Sequence, residues 1–260
     1  MASRSFRRTD GRSLSLTRVI FVLLGIGCAA ALGQNQAPSP ATPPTVDEIV
    51  RRMVEHNRVR ESRLRYYTSR RQYHVEYRGF PSSMDASMEV EMDYDAPSKN
   101  FRVLSESGSH ALINHVLKKL LKSEQEAATN QRDNTLSPAN YNFAFLETTI
   151  DSGRELFVLR VEPKVERKFL YRGKIWVDAE DFAVVKIEAT PAQNPSFWIR
   201  DTQIEHRYSK SGDFWLPKQN TSVTRVRMGG TATLTINYES YAFPRAANQI
   251  LPSTDHALIQ

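Results

Sequence analysis

Between Met84 and Asp95 the chain alternates with a period of two. Met84, Ala86, Met88, Val90, Met92 and Tyr94 fall on one side, with Asp85, Ser87, Glu89, Glu91, Asp93 and Asp95 on the other. Successive side chains of a strand point to opposite faces, so this pattern predicts an antiparallel strand with one dry and one wet face. It commits the chain to a sheet that covers something apolar. The preceding stretch keeps the same period. Tyr67, Ser69, Arg71, Tyr73, Val75 and Tyr77 face one way, and Thr68, Arg70, Gln72, His74, Glu76 and Arg78 the other. Lys99 to Ser105 adds a third strand. Seven more are predicted near 141–150, 154–162, 168–178, 182–190, 198–209, 213–227 and 231–241. The hairpin signals between them include Asp151-Ser152-Gly153, Asp178-Ala179-Glu180-Asp181, Ser211-Gly212-Asp213 and Gly229-Gly230. Long strands in such a series curl into a barrel or half-barrel.

Two stretches break the period. Thr45 and Glu48 form a capping box ahead of Val46, Ile49, Val50, Met53 and Val54, which recur at helical spacing and predict a helix over 46–60. Ile113, Val116, Leu117, Leu120 and Leu121 make a second stripe, predicting a helix over 109–124 with Ser109 as its cap. The polar stretch from Glu124 to Pro138 reads as a loop. Helices of this length, and strand faces this polar, argue against a membrane-spanning barrel.

The N-terminus reads as an export leader. Arg4, Arg7, Arg8, Arg12 and Arg18 precede an uncharged apolar run from Val19 to Leu32, and Ala31-Leu32-Gly33 offers small residues for cleavage before Gln34. The run is about 14 residues, where a bilayer-spanning helix needs roughly 20. The expected location is therefore the periplasm. A lipid anchor at Cys28 is the alternative, although Leu24 stands one place too far from the cysteine for the usual lipoprotein pattern. Residues 34–44 are a proline-rich tether, 45–243 a single domain, and 244–260 a loose tail.

The leader also carries most of the basic excess. Residues 1–33 hold five arginines and one aspartate of the chain's 35 Lys+Arg and 29 Asp+Glu, which leaves 30 against 28, a net of +2. That balance excludes the clustered basic face that nucleic acid requires. After cleavage no cysteine remains, which excludes thiolate zinc sites and cysteine nucleophiles.

Catalytic constellations are also missing from the sequence. His110 and His115 are five apart on a helix and point in different directions, and the other histidines are scattered. Asp178, Glu180 and Asp181 cluster in one turn, which reads as a solvated hairpin. No enzyme, metal or cofactor is expected.

The dry face is rich in methionine and rings, which suits variable apolar shapes. A curved sheet closed by the Ile113–Leu121 stripe encloses either a filled core or a cavity of lipid size. The expected lining is Arg71, Tyr73, Val75 and Tyr77 of the first strand and Met84, Met88, Val90 and Met92 of the second. Ile113, Val116, Leu117 and Leu120 of the helix, with Phe143 and Phe145, complete it. Arg71 is too costly to bury alone. It is expected to hydrogen-bond a lid helix or a ligand headgroup, or to reach water at a strand end.

The run from Tyr171 to Glu188 carries Trp176-Val177-Asp178 at the end of one strand and Asp181-Phe182 at the start of the next. It resembles a hairpin of the periplasmic lipoprotein-sorting carriers. Asn194-Pro195-Ser196-Phe197-Trp198 and Gly212-Asp213-Phe214-Trp215-Leu216-Pro217 extend the resemblance, which spans residues 45–243 and is sharp over 171–217. The superfamily includes the LolA and LolB carriers and the sensor domain of the RseB type. The resemblance implies a mainly β fold, an incomplete, half-open antiparallel β-barrel with helices plugging its concave face. It further implies a monomeric envelope carrier that binds acyl chains of lipoproteins or lipids under a lid helix. The alternative is an RseB-like sensor or interaction module with an envelope protein as partner and no cargo. It carries over no functional residue.

Overall fold

The period-two stretches are strands, and their dry faces line one side of one sheet. The computed structural model describes residues 43–129, 134–193, 199–227 and 229–243. The expected leader at 1–33, most of the expected tether, the expected tail at 244–260 and the Asn194–Trp198 motif lie outside the described residues. The strands are β1 (Tyr66–Arg78), β2 (Met84–Asp95), β3 (Ser98–Gly108), β4 (Tyr141–Asp151), β5 (Arg154–Pro163), β6 (Tyr171–Asp178), β7 (Val184–Pro191), β8 (Ile199–Ser211), β9 (Phe214–Val226) and β10 (Thr231–Ala242). All pair antiparallel, in the order β3-β2-β1-β10-β9-β8-β7-β6-β5-β4. The last strand therefore joins the first. β3 and β4, consecutive in sequence, end up at opposite edges, so the sheet stays an open half-barrel.

Two helical stretches cover the concave side. α1 (Val46–Arg63) starts where predicted, with the Glu48 N–H donating to Thr45 Oγ1 at 3.3 Å. The reciprocal arm of the capping box is absent, because the Glu48 carboxylate accepts from Arg51 and Arg52 instead. The second stretch follows β3 and packs on β1 and β2. It consists of α2 (His110–Leu112), a π-helical turn (Ile113–Leu117) and α3 (Lys118–Thr129). Ser109 occupies the cap position without a side-chain cap bond, and its hydroxyl donates to Met84 Sδ at 3.7 Å. α3 runs past Glu124, where the polar composition predicts a loop. Its last turns are tied down from outside. Gln125 Nε2 donates to the Lys99 carbonyl at 3.2 Å, and Lys168 pairs with Glu126 at 2.6 Å.

The core is divided between the two helical stretches. Ile49, Val50 and Met53 of α1 pack on Leu159, Val161, Ile175, Val177 and Ile187 of β5 to β7. Leu112, Ile113, Leu117 and Leu121 pack on Tyr73, Val75, Ala86, Met88 and Val90 of β1 and β2, together with Ile236 of β10. The acidic turn after β6 is not the solvated hairpin that its composition predicts. Asp178 is 1% exposed and takes both arms of Arg154, at 2.5 and 2.8 Å, while the N–H groups of Glu180 and Asp181 donate to its Oδ1. A buried carboxylate needs such partners, and here they fix the turn.

Candidate functional site

The registers place one transverse row of side chains across the concave face. From β2 it runs Met88, Tyr73, Ile236, Asn220, His206, Ile187, Ile175 and Leu159, each opposite the next. The row is apolar where each helix covers it. At β9 and β8, between the two cores, it turns polar. Thr202 and Thr224 flank this gap, their hydroxyls 3.0 Å apart, and Asn220 Nδ2 donates to Tyr238 Oη at 2.9 Å. Asn220 Oδ1 is buried without a partner, the one such atom among the described residues. His206 is pushed down to about 4 by burial, with the Glu124 carboxylate pulling the other way. It is therefore a neutral imidazole at neutral pH.

Next to this gap lies a cleft of about 520 Å³, within the range of small-ligand sites. Its walls are the second half of α1 and the end of α3. His56, Asn57, Arg60 and Glu61 come from α1 and Leu64 from its C-cap, and Ala127 and Ala128 come from α3. The sheet supplies the floor through Val184, Ile187, Tyr208, Leu216 and Pro217, while Tyr67, Tyr94, Lys99 and Trp215 stand around it. The inward face of α1 explains this placement. Ile49, Met53, His56, Arg60 and Leu64 recur at spacings of three and four, so one stripe begins apolar, turns polar over the cleft and ends in Leu64.

A buried ion pair fastens α3 over the sheet beside the cleft. Arg71 Nη1 donates to Glu124 Oε2 at 2.9 Å, with the two side chains 3% and 18% exposed. Tyr73 Oη donates to Glu124 Oε1 at 3.1 Å, and Arg71 Nε donates to Ser69 Oγ at 3.0 Å. The guanidinium also lies over the Tyr238 ring, 4.7 Å from its centroid. Burial works against the charge on Arg71, but Tyr238, Glu124 and Tyr73 outweigh it and raise its pKa. Lys99, which lines the cleft, stands 3.7 Å from the same carboxylate. Burial lowers its pKa, against the pull of Glu124.

The residues expected to line a cavity are brought together, but against one another. Tyr73, Val75, Met88, Val90, Ile113 and Leu117 are at most 2% exposed and form a single filled cluster, on which Met84, Val116 and Leu120 pack. Met92 is likewise buried. Phe143 joins the α1 core, and Phe145 is 46% exposed on the edge strand β4. Tyr77 is turned to the far end, donating to the carbonyls of Phe80 and Gly229. Arg71 takes the first role expected of it, a bond to a lid helix. None of these side chains is in the cleft wall, because the π turn and α3 press the second stripe flat onto β1 and β2. The cleft instead draws on residues the sequence reading passed over. One signal was present, the polar half of the α1 stripe at His56 and Arg60.

Solved structures of similar chain path include one described as an outer membrane lipoprotein-sorting protein domain from Vibrio parahaemolyticus. It is 13% identical, covering 75% of this chain and 94% of that one, with a TM-score of 0.39. A LolA superfamily protein from Nitrosomonas europaea is 9% identical over 80% and 97% of the two chains, with a TM-score of 0.34. MucB of Pseudomonas aeruginosa, solved in complex with MucA, is 12% identical over 75% and 94%, with a TM-score of 0.24. No family model and no curated protein matches the chain. At these identities and TM-scores the likenesses carry no weight on function, which is read from this chain's own residues.

Proposed function

We propose that the chain is a cell-envelope binding protein that holds the acyl chain of a lipid or lipoprotein in the cleft between α1 and α3. The observation that carries this reading is the break between the two cores. Each helix seals its own half of the half-barrel, and the space left between them is a cleft with an apolar floor and a polar, aromatic rim. Burying acyl methylenes yields about 0.8 kcal/mol each, so even part of one chain is held firmly. The Arg71–Glu124 pair keeps α3 seated over the neighbouring sheet while the ligand is in place. No covalent chemistry is required of any residue in the cleft, and the role is carriage rather than catalysis. The leader at 1–33 supports a periplasmic location.

A second reading, a module that binds an envelope protein, is supported by the edge strand β4. It has one neighbour in the sheet and carries the exposed side chains of Phe145 and Ile150. A photoreactive fatty acid separates the two readings. Labels on Ile187, Leu216 or Leu64 support the cleft. Absence of labelling, with retained binding of envelope protein, contradicts it.

A further inference from the structure

α1 carries five arginines, and four of them are ion-paired despite being largely exposed. Arg51 and Arg52 hold Glu48, Arg58 holds Glu55, and Arg63 reaches Asp213. Arg60 is the exception. It is half-buried on the inward face of the helix and lines the cleft, yet its guanidinium makes no hydrogen bond or ion pair with any described residue. Tyrosine hydroxyls stand around it. The hydroxyls of Tyr67, Tyr94 and Tyr208 share the cleft and form no hydrogen bond with a described residue. The Arg60 charge acts on all three, as well as on His56 and Lys99. Glu61 is the one carboxylate in the cleft wall, and Lys99 is already engaged by Glu124.

A guanidinium on a cleft wall favours an anionic partner, and tyrosine hydroxyls that no protein group engages can donate to a ligand. Both are met at once by an anion seated in the cleft. Arginine presents a planar fork of donors that matches a carboxylate or phosphate, and the hydroxyls supply further donors.

We infer that the ligand of this cleft is an anionic amphiphile, with its carboxylate or phosphate head bound by Arg60 and its chain over the apolar floor. The inference rests on the acyl-binding reading and gives it a substrate class.

Calorimetric titration with laurate, lauryl phosphate and lauryl alcohol tests it, with inorganic phosphate as a fourth arm. Laurate and lauryl phosphate are expected to bind at least about tenfold more tightly than the alcohol, the scale of one charge-assisted hydrogen bond. Arg60→Gln removes that preference. Arg60→Lys, which keeps the charge, retains part of it. Equal affinity for acid and alcohol, or a preference that survives Arg60→Gln, overturns the anionic head while leaving the acyl site standing. Inorganic phosphate binding as tightly as lauryl phosphate also overturns it, because the site is then one for a free anion. If none of the chain compounds binds, the acyl reading itself fails.

Discussion

Arg71 in the middle of β1 and Glu124 on α3 are 53 residues apart in sequence and 2.9 Å apart in space, and their contact fastens the helix to the sheet. The two partners are not equivalent. Removing Glu124 leaves Arg71 buried with the Ser69 and Tyr73 hydroxyls and the Tyr238 ring but no counter-charge, whereas removing Arg71 leaves Glu124 with Tyr73 and Lys99. Glu124→Ala is therefore expected to cost about 3 kcal/mol in urea unfolding, and Arg71→Ala less. The double variant costs less than the sum of the two. Additive losses would mean that the pair does not couple helix to sheet.

Core and cleft respond to different substitutions. Leu117 is fully buried against β1 and β2, so Leu117→Ala is expected to lower stability by about 2–5 kcal/mol and leave laurate affinity unchanged. Val184 is partly exposed on the cleft floor. Val184→Trp fills that space, and is expected to abolish laurate binding while the unfolding midpoint moves little. The opposite pattern would place the ligand under the π turn, among the methionines.

His206 sets a pH dependence. Its ordinary value of 6.5 falls to about 4 in the folded chain, chiefly through burial. Between those values the unfolded chain binds the extra proton, so this contribution to stability is full above pH 6.5 and declines as pH falls toward 4. His206→Phe is expected to flatten the unfolding free energy over that window. An NMR titration that gives His206 an ordinary value would remove the basis for this expectation.

The fold was legible because a period of two is hard to disguise. The faces assigned to Tyr67–Tyr77 and Met84–Tyr94 are the ones the structure buries, and the open half-barrel follows from β3 and β4 ending at opposite edges. The resemblance over 171–217 also has a physical basis. Asp181 of the first motif accepts from Trp215 Nε1 of the second at 2.7 Å and from Lys210 Nζ at 2.9 Å. The two motifs thus form one clamp between the turn after β6 and the β8–β9 hairpin.

The candidate site was less legible, for a reason visible in α1. An apolar stripe announces packing, but a stripe that turns polar halfway, as at His56 and Arg60, looks like an ordinary solvated face until the sheet beneath it is in place. Whether the methionine row of β2 bounds a void depends on how closely the second helix sits. A π turn at Ile113–Leu117 and an ion pair between distant residues decide that, and neither leaves a periodic trace in the sequence. The length of α3 was hidden similarly, because Gln125 and Glu126 are held by partners on other elements.

The most direct test of the central claim is native mass spectrometry with lipid extraction on the protein purified without detergent. The account predicts bound acyl species that are kept in Leu117→Ala and lost in Val184→Trp. A clean apo mass, with no uptake from added lipid or lipopeptide, would contradict it.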